Sequence, residues 1–220
     1  MPVFRLSKNS IDFPDPSLAE SNGLLAIGGD LRVERLLAAY QNSIFPWYDE
    51  DSPILWWSPP ERFIILPKDI HISHSMRKFF KKHDVKIEIN RDFSDTMHHC
   101  RMVHKCEGEW IIDEMEEAYG ALHRAGYAMG VESFIDGKMA GGLYGVVIGK
   151  CFFGESMFTE IENGSKVALI LLAKMLEEEG FVFIDCQFHT DHLESMGGIT
   201  VNRNEYIKLL KKGTAEGEKK

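Results

Sequence analysis

The segment Ile184-Asp185-Cys186-Gln187 sets a carboxylate two residues from a carboxamide. In an extended strand, residues i and i+2 share a face. Asp185 can therefore hold the Gln187 amide by a hydrogen bond, with Ile184 and Cys186 on the opposite face. The same Asp also suits the plainer task of accepting turn amides at a strand end. A second carboxylate, Glu155, stands in Gly154-Glu155-Ser156-Met157-Phe158, which reads as the end of another strand. Carboxylates and a carboxamide brought together can orient a polar substrate and exchange a proton. Trp110, in Gly108-Glu109-Trp110-Ile111, enters from the loop before them.

Three other groups carry possible chemistry. Trp47, Trp56 and Trp57 fall within eleven residues, in SIFPWY and PILWWSPPER. They read either as a rigid corner packing one domain on the next or as a stacking platform for a nucleobase, and both can hold if Trp47 is exposed and Trp56 or Trp57 buried. In HISHSMRKFFKKH, with a start at Ser73 or Ser75, helical spacing puts Arg77, Lys78, Lys81 and Lys82 on one face. That face is either a solvated surface or a contact for backbone phosphates, with His71, His74 and His83 adding charge as pH falls. DFSDTMHHCRMVHKC invites a metal, but Cys100 and Cys106 are too widely spaced for a zinc pair and His99 with His104 fits only loosely. Phe93, Met97, Cys100 and Val103 recur at helical intervals, so an amphipathic helix with Cys100 inward is the plain reading, without a metal.

The elements that must position these groups are legible from turn signals. Strands are predicted over Ala128–Phe134, Lys138–Val147 and Cys151–Met157, separated by Asp136-Gly137 and Gly149-Lys150. Asn163-Gly164-Ser165 opens an apolar helix that stops at Gly180, and FVFID follows as a buried strand. Asp30 is placed to cap a helix from Leu31 to about Gln41, with Val33, Leu36, Leu37 and Tyr40 in one stripe. Asp113–Gly126 reads as another helix. Asp191 with Glu194 marks a short helix, and Asn202 with Glu205 caps a last one over Arg203–Lys212, leaving TAEGEKK as a frayed tail. A meander, a crossover helix and a return strand are the core of many acyltransferases, which by itself assigns no function.

Composition narrows the classes. With 44% hydrophobic residues the chain can bury a core. No apolar run reaches the roughly 18–20 residues that span a bilayer. Four cysteines in 220 residues, behind an N-terminus without the pattern of an export signal, suggest reduced thiols in the cytoplasm. A net charge of -9 excludes a broadly basic nucleic-acid binder, so any such contact must be a local patch.

GLLAIGGDL, LLAAYQNSIFPWY, PILWWSP, GEWI, GGLYGV, GESMF and IDCQ occur in this order. In these motifs the chain resembles the leucyl/phenylalanyl-tRNA–protein transferases. The resemblance implies an α+β (mixed α/β) architecture: a small N-terminal α/β domain over 1–62, then an acetyltransferase-like (GNAT-like) domain over 63–220 with a mostly antiparallel sheet. It implies an enzyme moving Leu or Phe, with Met a further candidate, from charged tRNA to proteins with N-terminal Arg or Lys, marking them for degradation. Its partners would be leucyl-tRNA, phenylalanyl-tRNA and those proteins, with no membrane, no cofactor and a monomeric chain. By the same resemblance Asp185 orients Gln187, Gln187 contacts the incoming amine, and Glu155 binds an amino group. Leu143, Phe153, Met157, Leu169 and Ile184 would form the side-chain pocket, with Ser156 and Thr190 at the binding site and Trp47 and Trp110 flanking the terminal adenosine. Arg77, Lys78, Lys81 and Lys82 would meet the tRNA backbone. An acyltransferase using coenzyme A is the alternative, although SMFTEIENGSK would set acidic groups where a pyrophosphate needs N–H donors. A non-catalytic tRNA-binding module is a third class. The chain departs from the family pattern in Trp57-Ser58-Pro59-Pro60-Glu61-Arg62, where an Asp is missing, and at Leu143 and Thr190, which bear on pocket shape.

Overall fold

The computed structural model describes residues 3–104 and 111–217. The first strands, β1 (Phe4–Leu6), β2 (Leu24–Gly28), β3 (Phe45–Pro46) and β4 (Leu55–Trp57), form a small sheet in the order β1-β2-β4-β3. Helix α1 (Val33–Gln41) buries Leu36, Ala39 and Tyr40 beside it. Asp30 does not cap this helix. Its carboxylate is taken by Arg32 and by the fully buried Arg35, and Arg32 occupies the cap position, where its side chain makes no capping bond to the helix.

The larger sheet begins with β5 (Glu61–Ile65) and continues with β6 (Val85–Ile89), β7 (Ala128–Ile135), β8 (Lys138–Ile148), β9 (Cys151–Thr159), β10 (Phe183–Asp185) and β11 (Ile199–Asn202), in the order β11-β5-β10-β9-β8-β7-β6. All its pairings are antiparallel except β9 with β10. Asp136 and Gly137, with φ of 50° and 78°, make the tight β7–β8 turn whose twist matches the strands it joins. The helices are α2 (His74–Lys82), α3 (Phe93–His104), α4 (Asp113–Arg124), α5 (Gly164–Glu178), α6 (Asp191–Ser195) and α7 (Arg203–Gly217).

Two cores result, one on each face of the large sheet. Helix α5 buries Val167, Ile170 and Leu172 with Leu143, Phe152 and Ile184 on one face. Tyr144, Phe153 and Phe183 face the other way, into a core shared with Tyr40, Trp56, Tyr119 and Tyr206. The crossover through α5 is what allows β10 to return parallel to β9. It also brings Asp185 level with Phe153, one residue short of the Gly154-Glu155 step. Gly180, with φ of 75°, ends that helix as its sequence position required.

Several expected boundaries shift. The last helix runs on to Gly217 instead of fraying after Lys212. Helix α6 starts at Asp191 as expected, and Thr190 caps it by accepting the Leu193 N–H at 3.2 Å. In α3, Cys100 points inward with Phe93 and Met97, while Val103 is exposed near the end of the helix.

Candidate active site

The site forms where the ends of β9 and β10 meet. Between Gly145↔Gly154 and Tyr144↔Ser156 the register of β8 against β9 slips by one, and Glu155 is the extra residue. Such a bulge bends a strand and re-aims a side chain. Here it reverses the alternation: Phe152 and Met157 face the cavity, and Phe153 turns away to pack on Tyr40 and Phe183. Phe153 is therefore not a pocket residue, because strict alternation fails across the bulge. Phe152 takes that place.

Glu155 sits between two buried tyrosines. Tyr40 of α1 donates to Oε1 at 2.8 Å, Tyr119 of α4 donates to Oε2 at 2.9 Å, and the Gln187 Nε2 donates to Oε1 at 3.3 Å. Desolvation of its carboxyl outweighs these hydrogen bonds and raises its pKa to about 7, with the negative charge of Asp185 adding to the rise. Burial next to the same carboxylate pushes both tyrosine hydroxyls far above their ordinary value, so they stay donors.

Asp185 is fully buried and saturated. Arg62 of β5 donates from Nε at 3.0 and 3.1 Å and from Nη2 at 2.7 Å, and Tyr206 of α7 donates at 2.7 Å. Burial acts against the Arg62 charge, but the attraction of Asp185 prevails and its pKa is raised. The expected bond between Asp185 and the Gln187 side chain is replaced. Asp185 Oδ1 accepts the Gln187 main-chain N–H at 2.9 Å, and the side-chain amide goes to Glu155.

Two cavities meet at these groups. A cavity of about 390 Å³ is walled by Leu143, Phe152, Met157, Leu169, Ile184 and Leu193, and Glu155, Ser156, Asp185, Gln187 and Thr190 also line it. A second, of about 220 Å³, lies between Phe45, Pro46, Trp47 and Phe188. Glu155, Cys186, Gln187, Thr190 and Leu193 line both. The tryptophans divide between two tasks. Trp56 is fully buried and donates to the Gly28 carbonyl at 2.8 Å, whereas Trp47 is 42% exposed, 5.3 Å from the Phe188 ring. Trp57 braces it by donating to the Trp47 carbonyl at 2.7 Å. Trp110, like Cys106, lies outside the described residues.

Arg77, Lys78, Lys81 and Lys82 are all exposed on α2, which Ser73 caps by accepting the Met76 N–H at 3.2 Å. His99 lies against the Phe158 ring and within 3.0 Å of Glu160, while burial pushes the Cys100 thiol up to about 12, so these two neighbours face different surroundings.

Sequence reading missed Arg62, Tyr119 and Tyr206, and took Tyr40 only as part of an apolar stripe. Arg62 carried a signal: a guanidinium between a proline pair and the run Phe63-Ile64-Ile65 needs a buried acid. The tyrosines carried none, since each stands on an ordinary helical face.

The leucyl/phenylalanyl-tRNA protein transferase family matches residues 64–211, and the N-terminal domain of that family matches residues 29–60. The leucyl/phenylalanyl-tRNA–protein transferase of Syntrophobacter fumaroxidans is 47% identical over 218 residues, 98% of this chain and 93% of the relative. That of Desulfatibacillum aliphaticivorans is 49% identical over 212 residues, 96% and 91% of the two chains. The chain belongs to the leucyl/phenylalanyl-tRNA–protein transferase family. Members of this family are aminoacyltransferases, and this chain is one of them. Among solved structures, that of L-PGS from Bacillus licheniformis aligns with a TM-score of 0.45 at 10% identity, over 90% of this chain and 72% of that one, a likeness too distant to argue from.

Proposed function

We propose that the chain transfers leucine or phenylalanine from the 3′ end of charged tRNA to the α-amino group of proteins that begin with Arg or Lys, in the cytoplasm and as a monomer. The observation that carries this reading is the shared wall of the two cavities. An aminoacyl ester has an apolar side chain on one side of its carbonyl and an adenosine on the other. The larger cavity suits the side chain, the aromatic cleft with Trp47 suits the base, and the carbonyl then lies beside Glu155 and Gln187. Met157 adapts to either a branched or a ring-shaped occupant.

The ester is already activated, so the chain's own task is alignment and removal of one proton. An α-amine has a pKa of about 8 and is mostly protonated at neutral pH. Glu155, at about 7, is matched to receive or hold that proton, while the Gln187 carboxamide orients the amine. Asp185 contacts neither in this reading, because its oxygens are occupied by Arg62, Tyr206 and the Gln187 N–H. The acidic side chains Asp191 and Glu194, exposed on α6 beside Leu193, suit an acceptor with a cationic side chain.

The test is transfer of radiolabelled Leu or Phe from charged tRNA to a peptide beginning with Arg, with an Ala-initiated peptide and labelled acetyl-CoA as controls. Label on the Arg peptide alone is expected. Label arriving from acetyl-CoA would mean that the fold was read correctly and the donor wrongly. The basic face of α2 gives a second expectation. Replacing Arg77, Lys78, Lys81 and Lys82 with Gln weakens tRNA binding and lowers the slope of log affinity against log salt by about 0.7–0.9 for each phosphate that the variant no longer neutralises. An unchanged slope would remove this face from the tRNA interface.

A further inference from the structure

We propose that Arg62 and Tyr206 are positioning residues which, through Asp185, hold residue 187 in a left-handed three-residue turn that aims Gln187 at Glu155 and Phe188 at Trp47. The inference rests on the reading of Glu155 and Gln187 as the groups that meet the reacting amine.

Gln187 has φ of 54°, and the Phe188 N–H donates to the Cys186 carbonyl at 2.6 Å. This is the γ-turn of positive φ, which L residues adopt rarely and only where the surroundings impose it. The surroundings can be named. The Gln187 N–H is held by Asp185 Oδ1, and Phe63 of β5 spans two residues at once, accepting from the Cys186 N–H at 2.9 Å and donating to the Gln187 carbonyl at 3.2 Å. Asp185 can act this way only if it is itself fixed, and it is, by the fork of Arg62 and the hydroxyl of Tyr206.

The same guanidinium packs behind the wall of the aromatic cleft. It lies between the rings of Phe45 and Tyr206, 4.5 and 4.6 Å from their centroids, and its Nη1 donates to the Ser43 carbonyl at 3.3 Å. Ser43 is also left-handed, with φ of 65°. Phe45 in turn stands edge-on to Phe188, at 5.7 Å between centroids. One cation therefore ties the wall of the aromatic cleft to the turn that carries Gln187. The Tyr206 hydroxyl acts at the Asp185 end of that tie, donating to Asp185 at 2.7 Å and accepting from Arg62 Nη2 at 3.5 Å.

This division predicts two different kinetic signatures. Tyr206→Phe keeps the ring under Arg62 and removes the hydrogen bond to Asp185 together with the long one from Arg62 Nη2, leaving the Arg62 contacts to Phe45 and Ser43, so kcat falls by about tenfold while KM for aminoacyl-tRNA stays unchanged. Arg62→Lys replaces a planar fork with a point charge that cannot bridge Asp185 and Ser43 between two rings, so KM rises and kcat falls together. Thermal melting of each variant accompanies the kinetics. Wild-type kcat in Tyr206→Phe, or a loss no larger than its unfolded fraction, overturns the inference. Gln187→Ala is run alongside. Full transfer by that variant would defeat the reading of the site itself, whereas full transfer by Tyr206→Phe beside an inactive Gln187→Ala defeats this inference alone.

Discussion

Asp185→Ala is expected to lower transfer by at least about a hundredfold and to destabilise the chain by about 3–5 kcal/mol. The two effects have one origin. Arg62 is 2% exposed, and the carboxylate it forks onto is its ion-pair partner. Removing that carboxylate leaves a guanidinium in the core with its charge uncompensated, which is the costly way to break a buried ion pair. The same change frees the Gln187 N–H, and the left-handed backbone there loses the bond that imposes it. The Gln187 amide then no longer meets Glu155, and misplacement of a reacting group by about 1 Å is enough for the stated loss. Binding of tRNA through the face of α2 should persist, since none of its four cations touches the Asp185 network. Melting temperature, single-turnover transfer and filter binding measure the three quantities. A melting temperature equal to that of the parent chain would show that the ion pair contributes nothing net, and near-normal transfer would refute the positioning role.

Glu155→Gln is the second large effect, and it has opposite signs for activity and stability. Glu155 titrates at about 7 in the folded chain, against an ordinary value of 4.5. Between those values the folded chain keeps a proton that the unfolded chain has released. The native state is therefore favoured below about pH 4.5, and that advantage is lost as pH rises through 7. Gln carries no charge to desolvate and keeps the shape of the side chain, its carbonyl accepting from one of Tyr40 and Tyr119 and its amide N–H donating to the hydroxyl oxygen of the other. At pH 8 the variant should be more stable by about 1–3 kcal/mol, the range allowing for partial solvent access to the carboxyl, and near pH 4 the difference should vanish. Transfer should fall by about 10²–10⁴-fold, and the rise in rate with a midpoint near pH 7 should disappear, leaving only the rise due to the amine near 8. Denaturant melts at the two pH values and a pH–rate profile decide this. A Gln variant that retains the inflection near 7 would assign the proton to another group.

The combination fits a general pattern in which an active site holds a group in an unfavourable state and the fold compensates elsewhere. Here the unfavourable elements are a desolvated carboxylate at a strand bulge and a left-handed glutamine. Three tyrosines, one guanidinium and one edge of β5 hold them in place.

By itself the sequence determined the parts that depend on local chemistry. Asp136-Gly137 and Gly180 specify left-handed turns because a positive φ favours such residues. The apolar run after Gly164 specifies a buried helix because no polar stripe interrupts it between Val167 and Leu176. Ser73 and Asn202 specify helix starts because their side chains satisfy amides within three residues. The motifs around Trp47, Glu155 and Asp185–Gln187 pointed to the candidate site through their resemblance to a family, as short runs in a recognisable order. What only the tertiary structure decided is every feature that depends on a partner far away in the chain. The bulge at Glu155 is set by a register slip against β8, so alternation along β9 alone assigns Phe153 to the wrong face. Asp30 could cap α1, but a buried Arg35 needs its charge more than the helix needs the cap. Arg62 meets Asp185 across 123 positions and Tyr40 meets Glu155 across 115, separations that no local periodicity encodes. Local patterning fixes which backbone each segment adopts, whereas the electrostatics of a buried site is fixed by which segments the fold brings together.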